Sequence, residues 1–276
     1  MKRKVDLKYN TQSIEQSGFY NLYDIDYLCK LLKVKNKEEL NCVLNTKNKN
    51  LIKSNKEDKK GKKRDYTYPK PNSKLALVYE QILVLFDRIK KPDYLFSCKK
   101  GTSHVYVAKY HSNCTSLVTI DIDSFFPSVK AKHVFNFFKN TMKCTKEIST
   151  ILSQLLTHNN QLMQGACFSP VLSWLSFKDM FDKINQEAQE KNLKFSLWID
   201  DIAISGAGSH KFIENIQHYF NENDLKIKWK KLNKYKHLTE IKEIMGVLIE
   251  SNKIYTKVNA NAGYKKYVNR VNSERL

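Results

Sequence analysis

Two acidic strand ends hold the residues best suited to chemistry. Leu117 to Ile122 reads as a short apolar strand that runs into Asp121 and Asp123. Further along, Asp200-Asp201 lies between Leu197-Trp198-Ile199 and Ile202-Ala203-Ile204. Successive residues of a flat strand point to opposite faces, so adjacent carboxylates there could not share a task. A tight turn at Asp200-Asp201, inside a hairpin running from Phe195 to Ser205, removes that difficulty and exposes both acids at a sheet edge. In a chain of net charge +20, two such ends suit a divalent-metal site. Mg²⁺ takes carboxylate and phosphate oxygens alike, which fits phosphoryl transfer to a 3′-hydroxyl with pyrophosphate leaving. Taken alone, Asp200-Asp201 reads more readily as an ordinary hairpin turn, where aspartate is common; the two acidic strand ends together bring the metal site level with that reading.

The elements that must position these acids follow from periodicity. Leu22, Ile25, Leu28, Leu31 and Leu32 recur at helical spacing within 20–45. The polar stretch Asn45 to Arg64, including Lys59-Lys60-Gly61-Lys62-Lys63-Arg64, reads as a loop or mobile hairpin tip. Tyr66 and Tyr68 alternate into Pro69 and Pro71, a short strand. Ser73 then caps an amphipathic helix carrying Leu75, Val78, Tyr79, Ile82, Leu85, Phe86 and Ile89. After the first acidic strand come two helices, around Val134–Met142 and Ile148–Leu155. One long helix is predicted from Pro170 to about Lys191. Ser209 is read as the cap of a helix through Phe220, and strands are predicted near Lys226–Trp229, Ile244–Ile249 and Ile254–Tyr255. Helices on one face of an antiparallel sheet make an α+β protein.

Composition bounds the function. The charge of +20 points to a polyanionic partner, with nucleic acid ahead of an acidic membrane surface and a merely solvated lysine-rich exterior as the plain alternative. No long uncharged apolar run suggests a membrane span, and no apolar signal segment follows the basic start Met1 to Asp6, so a cytoplasmic protein is expected. Cys29, Cys42, Cys98, Cys114, Cys144 and Cys167 form no C-x-x-C pair and read as buried, reduced thiols.

Three segments then become specific together. Ile120-Asp121-Ile122-Asp123-Ser124-Phe125-Phe126-Pro127-Ser128 resembles the first palm motif of bacterial reverse transcriptases, above all the retron and group II intron types. Gln164-Gly165-Ala166-Cys167-Phe168-Ser169-Pro170 resembles their Q-G-x-x-x-S-P motif, and Trp198-Ile199-Asp200-Asp201 their Y-x-D-D box. The order and spacing agree. Arg64 five positions before Pro69, Phe96 to Ser103, Val107-Ala108-Lys109-Tyr110-His111 and Ile244-Met245-Gly246 resemble further segments of the same family. Trp198 replaces the tyrosine of the box, Val107 an asparagine, and Met245 the middle residue of V-T-G.

The resemblance implies a right-hand polymerase with helical fingers, a ferredoxin-like antiparallel palm and a minimal or absent thumb. It divides the chain into a helical region 1–57, fingers 58–116, a palm 117–250 with a helical insert 131–163, and a short tail or vestigial thumb 251–276 in which Tyr264, Tyr267 and Val268 could form a helix. It implies RNA-directed DNA synthesis with two Mg²⁺ ions, or Mn²⁺, on Asp121, Asp200, Asp201 and the Ile122 carbonyl. Arg64, assisted by Lys62 or Lys63, would grip the triphosphate. Phe126 would exclude a ribose 2′-hydroxyl, or simply pack in the core beside Phe125. Gln164 and Gly165 would lie against the incoming nucleotide, with Gly165 letting the backbone approach it. Lys230 or Lys231 would approach the leaving pyrophosphate, and Trp198 and Gly246 the primer. Expected partners are a non-coding RNA template, the DNA product, dNTPs, and a protein partner or second copy supplying the thumb's grip, within an antiphage defence system. The alternatives are a scaffold that kept the fold to bind RNA or protein, and a protein-primed or template-independent DNA polymerase.

Overall fold

The computed structural model describes residues 11–57, 63–237, 240–250 and 253–256. The start Met1 to Asp6, Lys59 to Lys62 and the tail from 257, with Tyr264, Tyr267 and Val268, lie outside them. In chain order the elements are α1 (Ile25–Leu32), α2 (Lys37–Thr46), β1 (Leu51–Glu57), β2 (Lys63–Pro69), α3 (Lys74–Asp87), α4 (His104–Tyr110) and β3 (Leu117–Asp121). Then follow α5 (Phe125–Ser128), α6 (Ala131–Asn136), α7 (Lys146–Leu156), β4 (Thr157–His158), β5 (Gln161–Leu162), α8 (Ser169–Leu175), α9 (Lys178–Glu190), β6 (Lys194–Trp198) and β7 (Asp201–Ser205). The last are α10 (Ile213–Glu222), β8 (Asn233–Tyr235), β9 (Lys242–Ile244), β10 (Val247–Glu250) and β11 (Lys253–Tyr255). They gather into two units: one takes the chain up to Lys91 together with Ser124–Phe177, the other Pro92–Asp123 and everything from Lys178.

In the first unit, α3 begins where Ser73 accepts a hydrogen bond from the Ala76 amide. The face of α3 that sequence periodicity marked is buried: Leu75, Val78, Tyr79, Ile82, Leu85 and Phe86. Tyr79 sets its ring edge-on to Phe168 at 4.8 Å and donates its hydroxyl to the Leu155 carbonyl at 2.8 Å. Within the polar stretch Asn45–Arg64, expected to be a loop or a mobile hairpin tip, residues 51–57 and 63–64 are strand, and 58–62 lie outside the described residues. β1 and β2 pair antiparallel from Leu51 opposite Pro69 to Glu57 opposite Lys63. A partner strand completes the ladder, so pairing overrides the poor strand propensity of lysine and asparagine.

The second unit holds a four-stranded antiparallel sheet in the order β6-β7-β3-β8. With α9 before β6 and α10 between β7 and β8, this is the ferredoxin-like β-α-β-β-α-β arrangement. A smaller sheet, β11-β10-β9, follows it. Val107, Ala108, Leu117, Ala203, Tyr235, Ile244, Val247 and Ile249 share one core, so α4 and both sheets are welded together.

Several expected boundaries shift. The long helix from Pro170 is two helices, α8 and α9. At the break, the Ser176 hydroxyl bonds the Leu172 carbonyl at 2.8 Å and the Phe177 amide reaches back only three residues, to Trp174. Ser209 caps nothing: its hydroxyl is buried against Ser116 at 2.7 Å, and α10 begins at Ile213. The segment Lys226–Trp229 is not a strand; Ile227 forms a lone bridge with Ile122, and a 3₁₀ turn covers Trp229–Lys231. Ile244–Ile249 is a hairpin, with Met245 at φ +51° and Gly246 at φ +79° in its two-residue turn. Two positive φ values are what a type I′ turn demands. None of the six cysteines forms a disulfide, as expected, but Cys42 and Cys167 are exposed and Cys98 is half-buried.

His111 ties α4 to the sheet. Its Nδ1 lies 2.7 Å from Ser205 Oγ and its Nε2 2.8 Å from Ser196 Oγ, all buried. Burial, aided by the charge of Lys194, pushes the imidazole down to about 3. A group whose folded value lies below its unfolded one lends stability at neutral pH and loses it as pH falls through the unfolded value toward the folded one. Unfolding free energy is therefore expected to drop by about 1.4 kcal/mol between pH 7.5 and 5.5 through this group alone. Urea unfolding should show His111→Leu less stable than wild type at pH 7.5, with the gap narrowing by that amount at pH 5.5.

Candidate active site

Strand register brings the acids together. Asp121 ends β3 and Asp201 begins β7, and the two are direct cross-strand partners. Side chains so placed have Cβ atoms about 5 Å apart. The expected turn at Asp200-Asp201 therefore sits one residue earlier: Trp198 pairs with Asp201, and Ile199-Asp200 form the two-residue loop. Ile199 has φ +56°, a conformation that a β-branched side chain strongly resists. Its surroundings hold it there. The Ile199 amide donates to Ser97 Oγ at 3.1 Å, the Asp200 carbonyl accepts from the Ile122 amide at 2.8 Å, and Leu197 accepts from Phe96 at 2.9 Å. Strain over-determined in this way gathers at sites with a task. Trp198 is half-buried, edge-on to His104 at 4.6 Å.

A third segment closes on the acids. The Asp121 carbonyl accepts from the Lys228 amide at 2.9 Å, and the Asp123 amide donates to Lys226 at 2.8 Å. These bonds fix the 3₁₀ turn whose lysines reach the carboxylates. Lys231 Nζ donates to Asp121 Oδ2; Lys228 Nζ lies 3.7 Å from Asp121 Oδ1 and 3.8 Å from Asp123 Oδ1. Of the two lysines the sequence offered, Lys231 is the one on Asp121, and Lys230 is exposed on the same turn. Lys228 and the pairing of Asp123 were missed in the sequence. The signal was the spacing of three between Lys228 and Lys231, which aligns side chains on a 3₁₀ turn.

The electrostatics follow. Burial first, then Asp200 and Asp121, push the Asp201 carboxyl up to about 7, with Lys231 opposing. Burial would lower the Lys231 ammonium, but the bond to Asp121 and the charges of Asp121, Asp201 and Asp200 outweigh it and raise it. Hard carboxylate oxygens on adjacent strand ends, one of them driven toward its neutral form by its neighbours, fit a divalent cation. Among the described residues, no three His, Cys, Asp or Glu side chains stand close enough to hold an ion as they are. The Asp121 carboxylate is instead engaged by lysine.

The other expected residues fall in the first unit, except Gly246 in the β9–β10 turn. Arg64 lies on β2, exposed, opposite Lys56. Phe125 is buried against Phe177 at 6.1 Å, while Phe126 on the same short helix stays half-buried. The core role thus falls to Phe125. The Gln164 carbonyl accepts from the Thr67 amide at 2.8 Å. Gly165 has φ +124°, and a Cβ there would stand 3.2 Å from the Thr67 carbonyl oxygen. The close approach that Gly165 permits is to β2.

The family model for reverse transcriptase (RNA-dependent DNA polymerase) matches residues 47–249. The chain is similar to the retron Se72 reverse transcriptase of Salmonella heidelberg (strain 579083-10), 31% identical over 121 residues covering 44% of the chain and 32% of the relative. It is similar to the retron Ec86 reverse transcriptase of Escherichia coli, 27% identical over 159 residues covering 57% and 49%. The chain thus spans less than half the length of these curated relatives. Among solved structures, apo telomerase of Candida tropicalis truncated from its C-terminal domain superposes with TM-score 0.55 at 10% identity, over 79% of this chain and 59% of that one. Telomerase of Candida albicans with a TWJ fragment of telomeric RNA gives TM-score 0.54 at 9% identity, over 82% and 51%. At such identities the likeness is one of fold, that of right-hand polymerases.

Asp201 yields a stability test. A carboxyl raised above its unfolded value of 3.8 lends stability at low pH and loses it as pH rises through about 7. Without divalent ions, Asp201→Asn is expected to be about 1–3 kcal/mol more stable than wild type at pH 8. Urea unfolding should show that gap shrinking as pH is lowered toward 4; an unchanged gap would contradict the assignment.

Proposed function

The chain belongs to the reverse transcriptase family, and from that premise we propose that it is an RNA-directed DNA polymerase. The observation that carries the reading is the opposition of Asp121 and Asp201 across β3 and β7, with Asp200 in a pinned turn beside them. Asp121, Asp200, Asp201 and the Ile122 carbonyl are the groups that would hold two Mg²⁺ ions, or Mn²⁺. When bound, such ions supply a more acidic 3′-hydroxyl and positive charge against the departing pyrophosphate.

The chain's own residues do the remaining work. Arg64 offers a guanidinium fork that matches phosphate oxygens. Phe126 keeps part of its ring out of the core and so presents an edge that would clash with a 2′-hydroxyl. By the family resemblance, Gln164 and Gly165 would lie against the incoming nucleotide, Lys230 or Lys231 would approach the leaving pyrophosphate, and Trp198 and Gly246 would meet the primer. The excess of positive charge holds template and product backbones. The similarity to retron enzymes supports a cytoplasmic role in antiphage defence with a non-coding RNA as template.

One observation favours a second reading, a scaffold that binds RNA without synthesis: Asp121 is engaged by lysine. Primer extension separates the two. With an RNA template, a DNA primer, dNTPs and Mg²⁺, wild type should make DNA, and Asp200→Asn should lose on the order of 10³-fold in rate, the scale of losing transition-state charge stabilisation. Phe126→Ala should admit ribonucleotides about tenfold better or more. Absence of DNA synthesis on any template, with RNA still bound by wild type and Asp200→Asn alike, would favour the scaffold.

A further inference from the structure

Asp121 is the most buried of the three acids, with its side chain only 7% exposed, and it is held by two cations that belong to the chain. Lys231 donates to one carboxylate oxygen and Lys228 lies 3.7 Å from the other. Both oxygens that would ligate a metal are thereby engaged. Lys228 also lies 3.8 Å from Asp123, and Lys231 feels the charges of Asp200 and Asp201. Two ammonium groups thus pair with Asp121 and Asp123, offsetting negative charge as divalent ions do in a phosphoryl-transfer site.

The two lysines are placed to leave. Their backbone is fixed, with the Lys228 amide on Asp121 and the Lys231 amide on the Lys228 carbonyl at 2.9 Å each. Their side chains are 29% and 56% exposed, so rotation can carry the ammonium groups away while the turn stays put. A triphosphate, carrying several negative charges, competes well for an ammonium against a single carboxylate.

Resting on the polymerase reading, we propose that Lys231, helped by Lys228, stands in for a divalent cation on Asp121, and that a nucleoside triphosphate draws these lysines off. Metal and nucleotide then enter together, and metal alone binds weakly. Lys231 acts here as a positioning residue, holding Asp121 in place until the substrate arrives.

The test is Mn²⁺ binding to purified protein without nucleic acid, with free Mn²⁺ counted by electron paramagnetic resonance. It is run with and without a dNTP carrying a non-cleavable α,β linkage, against a nucleotide-only blank. Wild type should bind Mn²⁺ at least about tenfold more tightly with the nucleotide than without it. Lys231→Met should bind Mn²⁺ about tenfold more tightly than wild type in the nucleotide's absence, and gain less from adding it. Lys231→Arg, which keeps the charge, should resemble wild type. Thermal melting checks folding, and Lys228→Met provides a second variant with the same expected direction. Equal or weaker Mn²⁺ binding by both methionine variants without nucleotide overturns the proposal while leaving the polymerase reading intact. No Mn²⁺ binding that Asp121→Asn abolishes, in any form and with or without nucleotide, overturns the polymerase reading and the proposal with it.

Discussion

The centre of this protein depends on carboxylates that repel one another and are nevertheless held together. Ladder pairing places Asp121 opposite Asp201, and hydrogen bonds from the Ile122 amide to Asp200 and from the Ile199 amide to Ser97 pin the β6–β7 turn beside them. The consequence is visible in Asp201, driven up to about 7, and in Ile199, kept at a φ its side chain resists. A sheet that tolerates both has been built around the acids. Natural sites commonly give up stability in this way where charge must be concentrated for chemistry.

The rest of the second unit serves that constraint. Hydrogen bonds to Ser97 and from Phe96 anchor the hairpin from one side, and the Lys226–Lys231 segment anchors β3 from the other. His111, neutral and buried between two serine hydroxyls, fastens α4 beneath the same strands. Cation and triphosphate chemistry is what a balance of fixed anions and movable cations can serve.

Much of this was legible in the sequence because the motifs are local. Asp121 at a strand end, the Asp200-Asp201 pair between apolar strands and the Ser73 cap each depend on a few neighbouring residues. What the sequence hid depends on partners far away in the chain. The polar segment 51–57 is a strand only because β2 pairs with it. The apolar run after Pro170 predicted one helix, yet a serine back-bond at Ser176 ends α8 early. The turn position was off by one residue because the register with Asp121, not the acidic pair itself, decides which carboxylate joins the ladder. Lys228 and Lys231 were hidden among many lysines, and only the bonds from their turn to β3 distinguish them.

Under the proposed polymerase reading, Asp121, Asp200 and Asp201 would hold the divalent ions of a nucleotidyl-transfer centre. Anomalous diffraction from crystals grown with Mn²⁺, a primer–template and a non-cleavable dNTP tests it most directly. Two Mn²⁺ peaks are expected about 3.5–4 Å apart, on Asp121 and the Asp200-Asp201 pair, with Lys231 displaced from Asp121. Clear density for the nucleotide with no Mn²⁺ on these carboxylates, and Lys231 still bonded to Asp121, would contradict it.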